Sequence, residues 1–242
     1  MSLQKKVALI VVIVFMLSGL MSFAVQRLTV LPSFQALEEE TAKKNAERVL
    51  EAIQRDIEMI GPSVSDWAYW TDTYAFAKGE KPDYLEANLE TGETGATLIA
   101  MKINYLGIFD KSGTAVWTQG IDIQEGKELE LGELTGDRLA NGHPLLQHPK
   151  LTSEVKGLIG TSQGPLLVYA KPILTNDQEG PPAGTFIMGR FLDDSTVSRL
   201  ADQTKLPLNI LSADKQAQNM SSKQFPYRSQ RPMNSLRYCY QG

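Results

Sequence analysis

The sequence DWAYWTDTYAF, at residues 66–76, combines acidic and aromatic side chains at a spacing that could bind a small molecule. Five of its residues are aromatic, in a chain whose aromatic content is 8%. On a helix, Trp67, Trp70 and Tyr74 lie within about 60° of one another, and Asp66 borders that face. A carboxylate beside indole rings could hold an amine or an apolar body. The alternative is structural: Asp66 caps the helix, and the tryptophans are core residues.

Arg190 and Asn104 are the other two candidates for ligand contacts. Arg190 lies in the apolar segment TFIMGRFL, where a guanidinium could hold a carboxylate through two parallel hydrogen bonds. An internal ion pair between Arg190 and an acid such as Asp66 is the alternative. Asn104 lies in a second largely apolar segment, TLIAMKINYLGIF. The predicted ligand-binding residues are therefore Asp66, Trp67, Trp70, Tyr74, Asn104 and Arg190.

Catalytic chemistry finds no support in the remaining motifs. Asp66 and Asp72 would lie on different helix faces, about 120° apart around the axis, whereas the two carboxylates of a glycosidase must flank one bond. GTSQG at residues 160–164 has the G-x-S-x-G spacing, but it lies between two predicted strands and not at the strand-to-helix turn that a hydrolase nucleophile occupies. The chain has no Walker or dinucleotide-binding glycine pattern. Cys239 is the only cysteine, and His143 and His148 each precede a proline, so they form a poor metal pair. We expect no catalytic residues, no metal and no cofactor.

The N-terminal sequence decides the compartment. Residues 7–25 carry no charge, and a helix of that length spans roughly 28 Å, close to the thickness of the bilayer core. Lys5 and Lys6 precede this run, which keeps the N-terminus in the cytoplasm. A cleaved signal peptide ending near residues 22–24 is the alternative. Both interpretations place the bulk of the chain outside the cytoplasm, and the first gives a single-pass protein of the inner membrane.

The rest of the sequence predicts the elements that position these residues. Residues 33–60 lack Gly and Pro and carry an apolar stripe of Leu50, Ile53, Ile57 and Ile60, which predicts a long leading helix. A second, aromatic helix is expected at 63–78. Strands are expected at 97–109, 114–118, 154–162, 166–174, 185–192 and 208–213, with a turn at Gly164-Pro165 and a helix from 193 to about 204. This order predicts an α+β fold, with the aromatic helix packed on an antiparallel sheet.

The helical residues 37–60, followed by the aromatic motif, resemble a known family. The motif is similar to the Asp-Trp-Ala-x-Trp-x-Asp-x-Tyr sequence of CHASE domains of the fourth class, matched here by Asp66, Trp67, Ala68, Trp70, Asp72 and Tyr74. The resemblance covers residues 33–213. It implies an extracellular sensor of bacterial or archaeal receptors, with a PAS- or Cache-like sheet, and it transfers the binding residues only as candidates.

These observations divide the chain into four parts. We expect a cytoplasmic N-terminus at 1–6, a transmembrane helix at 7–25, a periplasmic sensor domain at 33–213 and a tail at 214–242. Net charge changes from −10 across residues 26–220 to +4 in the last 22 residues. We expect a largely disordered tail and a truncated receptor that lacks an output domain such as a diguanylate cyclase or histidine kinase. The alternative is a complete chain whose basic tail contacts anionic lipid or a partner chain.

The predicted function is a membrane-anchored sensory domain without catalytic activity. It would bind an unknown small molecule between the sheet and the aromatic helix and form a homodimer through the leading helix. The net charge of −4 argues against nucleic acid as a partner. The alternatives are a secreted or anchored binding protein or hydrolase, and a structural module that only dimerises.

Overall fold

The computed structural model describes residues 3–90, 95–140, 142–208 and 239–240. The chain divides into two compact units, residues 1–50 and residues 51–242.

The first unit is helical throughout its described residues. Helix α1 (Leu3–Val25) continues through a π-helical turn (Gln26–Val30) into α2 (Leu31–Glu58), whose last turns, from Glu51, belong to the second unit. The large apolar side chains of α1 are exposed, which is unfavourable in water. In the described part of the chain, one helical segment is long and apolar enough to cross a membrane, and α1 is its apolar part.

The second unit combines short helices with one antiparallel sheet. Its helices after α2 are α3 (Gly61–Ala68), α4 (Thr71–Ala77), α5 (Tyr84–Asn88), α6 (Ala96–Met101) and α7 (Asp194–Thr204). Its strands are β1 (Tyr105–Asp110), β2 (Ala115–Asp122), β3 (Lys127–Glu128), β4 (Val155–Thr161), β5 (Gly164–Pro172), β6 (Gly184–Phe191) and β7 (Cys239–Tyr240). The strand order is β3-β2-β1-β6-β5-β4-β7, with every pair antiparallel. The α+β fold is confirmed.

Each face of the sheet carries its own core, because successive side chains along a strand point to opposite faces. The face that packs on the helices includes Leu106, Ile108, Leu167, Phe186 and Met188, together with Ile57 and Ile60. The opposite face includes Tyr105, Phe109, Val168 and Ile187 and is covered by the segment between β3 and β4 through Leu131, Leu134, Leu139 and Leu145. The central strands β1, β5 and β6 are therefore buried on both faces, whereas β3 and parts of β4 are exposed.

The predicted aromatic helix at 63–78 is wrong as one element, because the helix is interrupted between α3 and α4. Trp70 has an extended backbone, with φ −111° and ψ 127°. The backbone N–H and hydroxyl of Thr71 both donate to Asn176 Oδ1, at 2.7 and 2.6 Å. This contact, 105 residues away in sequence, satisfies the first turn of α4 and favours a new helix start there.

The predicted strand at 97–109 is also wrong in its first half, which forms α6. Lys102 adopts the left-handed conformation, with φ 55°, and ends this helix before β1 begins. An apolar run of this kind does not by itself separate a buried helix from a strand. The predicted turn at Gly164-Pro165 lies two residues too late, since both residues already belong to β5.

The predictions for the C-terminal region lie mostly outside the described residues. Of the strand expected at 208–213, only residue 208 is described, and of the tail at 214–242 only residues 239–240 are. These two residues, Cys239–Tyr240, form β7 and pair with Lys156 and Gly157 of β4.

Candidate functional site

The aromatic residues of α3 and α4 form a packed cluster. The ring of Trp67 stacks on Phe186 of β6 with centroids 6.2 Å apart and meets Trp70 edge-on at 6.0 Å. Trp70 in turn contacts Tyr84 at 5.8 Å, and Phe76 stacks on Tyr84 at 4.6 Å. These separations and angles are those of aromatic pairs in protein cores. We call these five residues the aromatic cluster.

The polar atoms around the aromatic cluster are bound within the protein. The Tyr84 and Thr73 hydroxyls, both buried, form a hydrogen bond of 2.8 Å, and burial raises the pKa of Tyr84 above its ordinary value. Tyr74 Oη donates to the carbonyl of Pro181 at 3.2 Å. Asp66 is exposed and forms no hydrogen bond or ion pair within the described residues. The structure therefore gives Trp67, Trp70 and Tyr74 internal partners and leaves Asp66 in solvent.

A cleft of about 380 Å³ lies at one end of the sheet. It is where β1 begins, β2 ends and β6 passes into α7. Its lining residues are Ile99, Lys102, Asn104, Ile123, Gln124, Arg190, Asp193, Ser195, Thr196 and Arg199. Two predicted site residues, Asn104 and Arg190, thus share this cleft. The other four are not among its lining residues, and Trp67 stacks on Phe186, four residues or roughly 13 Å along β6 from Arg190.

Arg190 is half-buried in this cleft and only partly engaged. Its Nε donates to the backbone carbonyl of Lys102 at 2.6 Å, a carbonyl presented by the left-handed turn after α6. Among the described residues its two Nη groups have no hydrogen-bond partner, and it forms no ion pair, so the alternative pairing with Asp66 is not formed. Burial lowers the pKa of Arg190 from its ordinary value. The negative charges of Asp56 and Asp193 oppose this effect, and the positive charge of Arg199 adds to it.

Asn104 is buried, with 5% of its surface exposed, and holds three strands together. Its Nδ2 donates to the carbonyl of Ile121 at 3.1 Å, at the end of β2. Its Oδ1 accepts from the backbone N–H of Phe191 at 3.0 Å, next to Arg190 in β6. Its own backbone N–H donates to Gly189 at 2.8 Å. Asn104 therefore positions the strand that carries Arg190.

Arg199, on α7, is a second guanidinium of the cleft, and the sequence analysis missed it. Its Nη1 donates to Oδ1 of Asp56 at 3.2 Å, and its Nη2 forms a short ion pair with Oδ2 of the same carboxylate. This bidentate pair raises the pKa of Arg199 above its ordinary value. One signal was available in the sequence: Asp56 interrupts the stripe formed by Ile53, Ile57 and Ile60.

Asp193 is the only acid among the residues that line the cleft. Its Oδ1 accepts from the Thr196 backbone N–H and the Ser195 hydroxyl, both at 2.8 Å, so it caps α7 as expected. Burial alone would raise the pKa of Asp193, but these hydrogen bonds outweigh it and hold the pKa below its ordinary value. The lining also includes Lys102, Arg190 and Arg199, so the lining residues together carry a net positive charge.

The two histidines lie with the core on the opposite face of the sheet. His143 Nδ1 accepts from the Leu145 backbone N–H at 3.3 Å, and its Nε2 lies 3.5 Å from Glu133. Both ring nitrogens of His148 are buried and lack a hydrogen-bond partner among the described residues. Burial lowers the pKa of His148 to about 4, so this ring is neutral at pH 7.

Comparison with known proteins places this architecture in a family. A model of the CHASE4 domain matches residues 52–211, about two-thirds of the chain. The chain belongs to the CHASE4 domain family. This confirms the resemblance found in the aromatic motif, and the CHASE4 match covers strands β1 to β6, the aromatic cluster and the cleft. The domain that it identifies is a sensor domain.

A curated relative is similar to most of this chain. The methanogenesis regulatory histidine kinase FilI of Methanothrix harundinacea (strain 6Ac) is 29% identical over 175 residues, which is 72% of this chain and 19% of that kinase. The chain therefore spans less than a fifth of the kinase's length. With the apolar helix α1 ahead of it, the CHASE4 domain is a membrane-anchored extracellular domain.

Two solved structures resemble this CHASE4 domain at 15% sequence identity. One is the extracellular domain assigned to histidine kinase vpHK1S-Z8, with a TM-score of 0.47, covering 67% of this chain and 61% of that one. The other is a domain assigned to a sensory box/GGDEF family protein from Vibrio parahaemolyticus, with a TM-score of 0.46, covering 67% and 64%.

Proposed function

We propose that this chain is the extracytoplasmic sensor of a receptor in the cytoplasmic membrane and that it binds a small carboxylate in the cleft at Arg190. One observation carries the proposal. Arg190 is half-buried in the cleft. Among the described residues, its Nε donates one hydrogen bond, and its two Nη groups have no hydrogen-bond partner. A guanidinium in this state offers the two parallel donors that a carboxylate accepts.

The charge and size of the cleft support a small anion as the ligand. Lys102, Arg190 and Arg199 contribute three positive charges to the lining, and Asp193 contributes one negative charge. The volume of about 380 Å³ is at the lower end of the range for small-molecule sites, roughly 300–1,000 Å³. Ser195 and Gln124 add neutral polar groups that could bind the rest of such a ligand. Apolar contacts come from Ile99 and Ile123.

The proposed receptor is anchored through residues 7–25 and pairs with a second copy through α2. Exposed apolar side chains along α2, among them Phe34, Leu37 and Leu50, support this pairing. Signalling to a cytoplasmic effector is part of the proposal, because FilI, which is similar to 72% of this chain, is a regulatory histidine kinase.

A thermal-shift experiment on the full chain in detergent tests the binding site. The probes are acetate, succinate and citrate, with succinamide as an uncharged match for succinate. We expect at least one carboxylate to raise the melting temperature of the wild type, since a ligand at 100 times its Kd stabilises by about 2.7 kcal/mol. Succinamide should have no effect.

The matched variants are Arg190→Gln and Arg190→Lys. We expect the carboxylate-dependent shift to disappear in Arg190→Gln and to be reduced in Arg190→Lys, which keeps the charge but not the paired donors. The proposal is wrong if no carboxylate shifts the wild type, or if Arg190→Gln responds as the wild type does.

A further inference from the structure

Arg199 takes part in two structures at once. It lines the cleft together with Arg190, and it forms the bidentate ion pair with Asp56. The Arg199 side chain is 40% exposed, whereas the Asp56 side chain is only 5% exposed. One of the two guanidinium groups that line the cleft is therefore already bound to a carboxylate of the protein itself, although Asp56 does not line the cleft.

Asp56 belongs to the last turn of α2. A second ion pair lies close by in sequence, because Glu58 at the end of α2 lies 2.7 Å from Nζ of Lys156 on β4. The end of α2 is thus tied to α7 by Asp56 and to the sheet by Glu58. Of the two acids, Asp56 is the more buried, and a buried carboxylate that loses its cation is strongly destabilised.

We propose that Asp56 is an internal competitor for the guanidinium groups of the cleft, so that a bound carboxylate weakens the Asp56–Arg199 pair and loosens the end of α2. This inference rests on the proposed function. A carboxylate held by Arg190 would stand next to Arg199 and would share its donors with Asp56. Two carboxylates at one cationic site repel each other, so each reduces the affinity of the site for the other.

The coupling must act in both directions. If a carboxylate in the cleft weakens the hold on Asp56, then removal of the Asp56 charge must tighten the binding of that carboxylate by the same factor. The Asp56–Arg199 pair then works as a latch, closed when the cleft is empty and weakened when the cleft is filled.

Calorimetric titration of the full chain with succinate and with citrate tests this coupling. In Asp56→Asn we expect tighter binding by about tenfold, within the 5- to 150-fold range usual for coupled sites. The control is Asp194→Asn, which removes an exposed acid from the first turn of α7 that does not line the cleft. It should bind both probes as the wild type does. Equal affinity in Asp56→Asn and the wild type overturns the latch but leaves the proposed function standing.

Amide hydrogen exchange tests the weakening of the Asp56–Arg199 pair without a substitution at Asp56. Addition of succinate or citrate to the wild type should increase the exchange of residues 51–58 at least severalfold. Arg199→Gln should show this faster exchange without any probe, whereas Arg190→Gln should not. Probe binding without faster exchange of residues 51–58 contradicts the latch. Failure of acetate, succinate and citrate to bind any variant contradicts the proposed function as well, so the two failures are distinguishable.

Discussion

The aromatic cluster and the Arg190 cleft occupy the same face and the same strand, yet they differ in how their groups are used. In the aromatic cluster, each ring contacts another ring, and the Tyr84 hydroxyl is bound to Thr73. In the cleft, the Nη groups of Arg190 have no partner within the described residues. The rings of the aromatic cluster have partners within the protein, whereas the Nη groups of Arg190 are available to a ligand.

The difference teaches which feature indicates a site. A conspicuous motif of aromatic and acidic residues identifies the family, but its rings are used to join α3, α4 and α5 to the sheet. The cleft is marked by one arginine in an otherwise apolar strand. A half-buried guanidinium whose Nη groups have no partner among the described residues is the more informative observation, because it presents the paired donors that a carboxylate accepts.

The largest expected effect concerns the stability of the aromatic cluster. Phe186 is fully buried and carries the stacked ring of Trp67, so Phe186→Ala should lower the free energy of unfolding by about 4 kcal/mol. Phe186→Leu, which keeps most of the volume, should cost clearly less. Urea denaturation followed by tryptophan fluorescence measures both. Equal midpoints for Phe186→Ala and the wild type would mean that the cluster does not hold the sheet.

A second prediction concerns His148, a buried polar side chain outside the cleft. We expect it to affect the stability of the fold but not carboxylate binding. The pKa of His148 is lowered to about 4 by burial, from an ordinary value of 6.5. As pH falls from 6.5 to 4, the unfolded chain binds a proton before the native chain does, so native stability falls. The total loss is about 3 kcal/mol, since one pKa unit corresponds to about 1.4 kcal/mol.

The variant His148→Leu should remove this loss. Between pH 7 and pH 4, its unfolding free energy should rise relative to the wild type by about 3 kcal/mol. His143→Gln is the control and should keep the acid sensitivity. Carboxylate binding at pH 7 should be the same in both variants. A wild-type pH dependence in His148→Leu would show that other groups cause the acid sensitivity.

The helices and strands illustrate what the sequence can and cannot predict. Periodicity located α2, most strands and the helix capped by Asp193, because each depends on local side-chain patterns. The break at Trp70 could not be predicted, because it depends on Asn176, far along the chain. The helix α6 was missed because its apolar run continues into β1 and the end of the helix depends on Lys102.

The site was predictable to a similar extent. Arg190 stood out because a guanidinium is unusual in an apolar strand. The role of Asn104 in joining β2 and β6 depends on strand register, which the sequence alone does not give. Arg199 lay unnoticed on an ordinary amphipathic helix, since its partner Asp56 is 143 residues away.

A third prediction tests whether Asn104 positions the cleft. Asn104→Ala removes partners from the Ile121 carbonyl and the Phe191 N–H, so it should lower the unfolding free energy by about 2 kcal/mol. It should also weaken carboxylate binding, because Phe191 follows Arg190. Asn88→Ala is the control: it removes one hydrogen bond, to the carbonyl of Tyr84, away from the cleft. Its binding affinity should match that of the wild type, and a loss in Asn88→Ala as large as in Asn104→Ala would remove the special role of Asn104.

The smallest expected effect is that of Asp66→Asn. Asp66 is exposed and has no partner within the described residues, so the unfolding free energy should change by less than about 0.5 kcal/mol. Carboxylate affinity should also stay unchanged, because Asp66 is not among the lining residues of the cleft. The prediction that Asp66 contacts a ligand remains open to this test. A clear loss of carboxylate affinity in Asp66→Asn would indicate that the ligand binds at Asp66 on α3 and not in the cleft.

The central claim is that the ligand binds in the Arg190 cleft and not in the aromatic cluster. The most direct test is a crystal structure of the domain with whichever of acetate, succinate or citrate gives the largest thermal shift. We predict a carboxylate group at the end of the sheet, within about 3 Å of the Nη groups of Arg190. Ligand density among Trp67, Trp70 and Tyr74, with none at Arg190, would contradict the proposed site.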